Sequence, residues 1–192
     1  MGYLYVQDGK MLVTNGGMRQ CCCVPPVTCH YFYFRFSYSL SYIPATSNPR
    51  GEHRVQMTFG GHNLVSASPT WNGGWGTDSA SGTGASGCEW YVSTAKAMGY
   101  GSGIMPQDGS GTFEFLENRT FDAGQPNQTV TLTLEVMDSG GDADPNRIYG
   151  LSVAGRTYRP ASQFAWHSFQ IATWSRAPNG TASWNESFRV VR

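Results

Sequence analysis

Residues 30–43, HYFYFRFSYSLSYI, constrain this chain more than any other stretch. Phe32, Phe34, Phe36, Tyr38, Leu40 and Tyr42 alternate with Tyr31, Tyr33, Arg35, Ser37, Ser39 and Ser41. A two-residue period puts successive side chains on opposite faces of a pleated strand. At about 3.3 Å per residue the run is roughly 40 Å long. One face is aromatic enough for a core and the other is polar enough for water. Such a strand belongs in the middle of an antiparallel sheet that buries one side. Residues 129–137, TVTLTLEVM, repeat the pattern, with Val130, Leu132, Leu134 and Val136 inward and Thr129, Thr131, Thr133 and Glu135 outward. Two long half-buried strands are what a pair of packed sheets requires.

The rest of the chain agrees with that class. Charged residues make up 14% of the sequence, against about a quarter in an average domain, and aromatics also reach 14%. Lys10 and Lys96 are the only lysines, which argues against long helices held by Glu–Lys pairs. Shorter alternating runs occur at 54–59, where Val55, Met57 and Phe59 share a face, and at 112–116, with Phe113 and Phe115 inward. Residues 147–154 and 156–158 read as a hairpin around Ala154-Gly155, and 187–191 as a closing strand. Residues 164–174 change face midway, which predicts a β-bulge near His167-Ser168. The expectation is an all-β fold: an antiparallel two-sheet β-sandwich, jelly-roll-like, of about ten strands. It occupies residues 30–192. From Trp71 to Gly111 there are eleven glycines. Glycine adds no packing and weakens a strand, so 71–111 reads as a long Gly/Trp-rich loop inserted in the sandwich, within which 89–98 could form a strand or one short helix.

Residues 1–29 stand apart. Two β-prone runs flank Gln7-Asp8-Gly9, and Asp-Gly between such runs is a strong hairpin signal. Cys21-Cys22-Cys23, Pro25-Pro26 and Cys29 follow; the prolines block helix and central strand alike. This reads as an N-terminal hairpin arm and an irregular connector. A hairpin outside the main sandwich has little to pack on alone, so Tyr3, Tyr5, Val6, Leu12 and Val13 are candidate contacts with a neighbouring subunit. The opening of Val6, Asp8-Gly9-Lys10, Leu12-Val13, Gly16-Gly17 and Cys21-Cys22-Cys23 resembles the start of virion-type proteins encoded by tailed bacteriophages and prophages. The resemblance covers about an eighth of the chain and names no catalytic residue. It implies a structural protein of the particle, a capsid decoration or a tail- or fibre-associated component. Such a protein would contact other virion proteins, form a homo-oligomer such as a trimer, and be assembled in the host cytoplasm.

Several function classes are disfavoured. The net charge is zero, from 13 basic and 13 acidic residues, and the arginines are scattered, so the basic patch of a nucleic-acid binder is missing. No run of about 18 apolar residues suggests a membrane span. The opening lacks the basic flank and apolar stretch of a signal peptide, which predicts a protein made and used in a cytoplasm or released by something other than secretion. Motifs of serine hydrolases, zinc proteases and P-loops are absent. Gly82-Thr-Gly84-Ala-Ser-Gly87 matches a dinucleotide fingerprint only by glycine content, since no strand-like stretch precedes it. Glu52, Glu89, Glu114, Glu117 and Glu135 could converge as a glycosidase pair, but nothing favours any two. The expectation is a protein that is not an enzyme and needs no cofactor, with calcium as an option.

Three features keep alternatives open. Trp71, Trp75 and Trp90 could fold inward as a local core, anchor a protein interface, or stack on the pyranose rings of a surface glycan. The glycan option gives the second functional reading, a carbohydrate-binding sandwich serving host adsorption. Asp142, Asp144 and Asn146 have the D-x-D-x-N spacing of a calcium loop and with Asp138 offer hard oxygen ligands, or simply form a solvated turn. Arg147 stands where an EF-hand needs glycine, and Val153 where it needs glutamate. The five cysteines read as reduced thiols, as zinc ligands with His30, or as disulfide partners, for instance Cys88 with one of Cys21 to Cys29.

Overall fold

The computed structural model describes residues 4–7, 10–13, 29–41, 50–70, 77–95, 100–120, 126–140, 147–177 and 179–192. Among them there is no helix, and fourteen strands form three sheets. Strands β1 (Leu4–Gln7) and β2 (Lys10–Val13) make the N-terminal hairpin, with Gln7 opposite Lys10. Sheet I runs in the order β13 (His167–Arg176), β10 (Gln128–Asp138), β3 (Tyr31–Leu40), β8 (Tyr100–Pro106), β7 (Glu89–Ala95), β6 (Thr77–Thr83). Sheet II runs β12 (Arg156–Tyr158), β11 (Gly150–Val153), β14 (Thr181–Val191), β9 (Ser110–Thr120), β4 (Arg50–Phe59), β5 (His62–Thr70). All pairings are antiparallel. From β8 onward the chain passes repeatedly between the sheets, which binds them into one β-sandwich.

The aromatic strand is interior to its sheet, as its alternation requires. Phe32, Phe34 and Phe36 are fully buried, while Tyr31, Tyr33 and Arg35 remain partly exposed on the other side. Phe36 stacks on Phe113 of the opposite sheet with ring centroids 4.2 Å apart, and Phe34 and Phe36 both pack on Phe188. Burying each such ring contributes about 1.5–3 kcal/mol. The second alternating run, β10, lies beside β3 in the same sheet, with Leu134 opposite Phe36.

Three expectations are corrected. First, the supposed loop 71–111 contains β6, β7 and β8, half of sheet I, of which only β7 falls where a strand was left open. Two of its glycines sit opposite large rings, Gly103 facing Phe34 and Gly82 facing Trp90, and a third, Gly101, leaves room for Met57 and Phe113 of sheet II. A Cβ at 103 would lie 2.6 Å from the Phe34 ring, and one at 82 would lie 2.6 Å from Trp90. Here glycine makes room for an aromatic ring on the neighbouring strand, a large-on-small pairing. Second, β13 does carry a bulge, but at Ile171 rather than at His167-Ser168. Leu132 pairs with Ala172 and Thr133 with Gln170. Phe169 and Ile171 pack on the core before the shift, and Ala172 and Trp174 after it. Third, Gly60-Gly61 does more than end the run at 54–59: with φ of 55° and 79° it forms a two-residue turn from β4 into β5.

Candidate functional site

The outer face of sheet I is where chemistry-bearing side chains converge. Its register places Ser81, Tyr91, Ile104, Tyr33 and Met137 side by side across five strands. The adjacent row is Ser79, Ser93, Ser102, Arg35, Glu135 and Ser168. Residues directly opposite in an antiparallel ladder share a face. One row is therefore aromatic and aliphatic, the next hydroxyl and charged. A depression of about 440 Å³ opens among Tyr31, Tyr33, Ser81, Glu89, Tyr91 and Ile104.

Sequence-distant segments complete this face. The Trp166 ring lies over the Arg35 guanidinium at 3.9 Å and meets Tyr33 edge-on at 6.5 Å. Arg35 also approaches Glu135 at 3.9 Å, a half-exposed pair that adds little stability. Ser93 and Ser102 hydroxyls share a hydrogen bond of 3.2 Å. On the outside of sheet II the corresponding rows, such as Asn185, Glu114, Gln56 and Val65, contain no aromatic ring.

A buried polar knot behind one end of the face holds its parts in place. Asp138, fully buried at the end of β10, has His30 Nε2 2.6 Å from Oδ1. Its carboxylate accepts the backbone N–H groups of Gly140 and Tyr149, each at 2.9 Å. The His30 and Tyr149 rings pack at 4.2 Å, and the Tyr149 hydroxyl donates to Gln107 Oε1 at 3.0 Å. Ser139 donates to the Tyr31 carbonyl from both its N–H, at 3.0 Å, and its Oγ, at 2.7 Å. Phe164 N–H donates to the Asp138 carbonyl at 2.7 Å, which ties down the segment that delivers Trp166. Cys29 and Cys88 form a disulfide that joins the start of β3 to the turn before β7. At the opposite end, Arg176 donates to the carbonyl of Gly180 and to Gln128, and sits 3.5 Å from Glu117 of sheet II. Both partners of that ion pair are buried.

The sequence-selected residues fare differently. Leu12 pairs with Tyr5 on the hairpin, and Val6 and Val13 pair with Met11 and Leu4. Tyr3, Trp71, Trp75, Asp142, Asp144 and Asn146 lie outside the described residues. Trp90 is 6% exposed and packs against Phe59, His62 and Gly82, so it serves the core and offers no flat face to a sugar. Asp138 points into the knot just described. Among the described residues no three His, Cys, Asp or Glu side chains cluster as metal ligands. Sequence reasoning missed Tyr33, Tyr91 and Trp166 as a group. The tyrosines on the hydrated side of the first strand were the available signal, but the register that joins them to Tyr91 is long-range. No family model matches the chain, and no curated protein or solved structure is significantly similar to it.

Proposed function

We propose that this chain is a non-enzymatic structural component of a bacteriophage particle, a capsid decoration or a tail- or fibre-associated protein that works through subunit–subunit contacts. The observation that carries the reading is the N-terminal hairpin. β1 and β2 pair with each other and join neither six-stranded sheet. An isolated two-stranded ribbon is marginal in water and gains stability from a surface to lie on. Its register pairs Leu4 with Val13, Tyr5 with Leu12 and Val6 with Met11. Successive pairs alternate between the two faces of a ribbon, so apolar residue types occupy register positions on both. A ribbon of that composition suits insertion between subunits. The opening that resembles phage virion proteins lies in this same segment.

The test is the native mass of the full chain against a variant lacking residues 1–29, each with and without reductant. A trimer or larger ring that collapses on deletion supports the reading. A full-length monomer whose mass per chain is unaffected by the deletion contradicts it.

A further inference from the structure

We infer that the outer face of sheet I binds a neutral oligosaccharide, with Tyr33 and Tyr91 as ring platforms and the adjoining hydroxyl row as its polar partner. This goes beyond the assembly reading and does not depend on it. Tyr33 and Tyr91 flank Ile104 on either side in one register row. Two strand spacings separate them by about 10 Å, enough to support successive rings of an extended glycan. Tyr91 is 44% exposed and Trp166 36%, so large aromatic surface is left uncovered. Trp166 is already oriented by Arg35 and Tyr33, which lowers the ordering cost of binding.

The ligand class follows from the alternation of rows. A pyranose has an apolar C–H face and a rim of hydroxyls. The aromatic row meets the first, and Ser79, Ser93, Ser102 and the Arg35–Glu135 pair meet the second. A protein interface is depleted of charge at its core, whereas here the Arg35 guanidinium lies directly against the Trp166 ring. A polyanion would require unpaired basic groups, yet Arg35 is shared with Glu135, and Glu89 adds a carboxylate to the depression.

The experiment is calorimetric titration of the full chain with neutral hexasaccharides: β-1,4-linked glucose, β-1,4-linked N-acetylglucosamine, α-1,4-linked glucose and α-linked mannose. Saturable binding of at least one is expected, weakened about tenfold by Tyr33→Ala and by Tyr91→Ala and retained by Tyr91→Phe, because the ring carries the stacking. Tyr91 is half-exposed, so its variants are expected to melt with the parent chain. No binding to any of the four overturns the inference, as does binding indifferent to both alanine variants. A fall in native mass on Tyr91→Ala with no glycan binding assigns the face to a protein partner and overturns it too.

Discussion

Sheet I is built by two different sequence routes. Its β3–β10 half reads as alternating aromatic and aliphatic positions, with Phe32, Phe34, Phe36, Val130, Leu132, Leu134 and Val136 all at or near zero exposure. Its β6–β8 half is rich in Gly and Ser, with Gly82, Gly101 and Gly103 opposite Trp90, Phe36 and Phe34. The first half supplies aromatic and aliphatic volume along its whole length, whereas the second, among the described residues, adds only Trp90, Val92 and Met105 and, at Gly82 and Gly103, the space into which neighbouring rings fit. Both halves then share one outer face, where Tyr33 from the first and Tyr91 from the second stand in one row. Core-filling strands and core-receiving strands can be equal members of a sheet while looking unrelated in composition.

The contrast can be broken most severely from the filling side. Phe36→Ala removes the ring stacked on Phe113 and is expected to destabilise the chain by about 3–5 kcal/mol, measured by urea unfolding. The two halves are also stapled to each other by Cys29–Cys88, across a sequence separation of 59. Cys29→Ser with Cys88→Ser is expected to lower stability by about 2–4 kcal/mol. Full reduction of the parent chain should reproduce that loss in its melting transition. On the receiving side, Gly103→Val forces a side chain against Phe34, at an expected penalty of about 1–3 kcal/mol. Pairing it with Phe34→Leu should recover part of that penalty, and strict additivity would refute the large-on-small account. The smallest effect belongs to the outer face: Tyr91→Ala should change stability by less than about 0.5 kcal/mol while changing glycan binding.

What the sequence disclosed follows the same division. Alternation located β3 and β10 within a residue or two, and Asp8-Gly9 and Ala154-Gly155 located their hairpins. These are local signals, complete within a few residues. Glycine in the 71–111 stretch was read as loop because its local effect is weakening. Its actual role depends on which ring lies opposite, and that is set by pairings such as Phe34 with Gly103, sixty-nine positions apart in sequence. The same limit hid the candidate site. Tyr33, Tyr91 and Trp166 are unremarkable singly, and only the register and the Asp138 knot bring them together. For Trp90 the sequence left inward folding open beside two exposed roles, and only the register that sets Gly82 against its ring decides for the core.

Native-state hydrogen exchange of the oxidised full chain tests most directly whether the Gly-rich half is a full member of the sandwich. Amides in 89–95 and 100–106 should exchange nearly as slowly as those of β3 and β10, opening only with global unfolding. Rapid exchange throughout 77–106, with β3 and β10 still protected, would mean that this stretch is a loop after all and would remove the row on which Tyr91 stands.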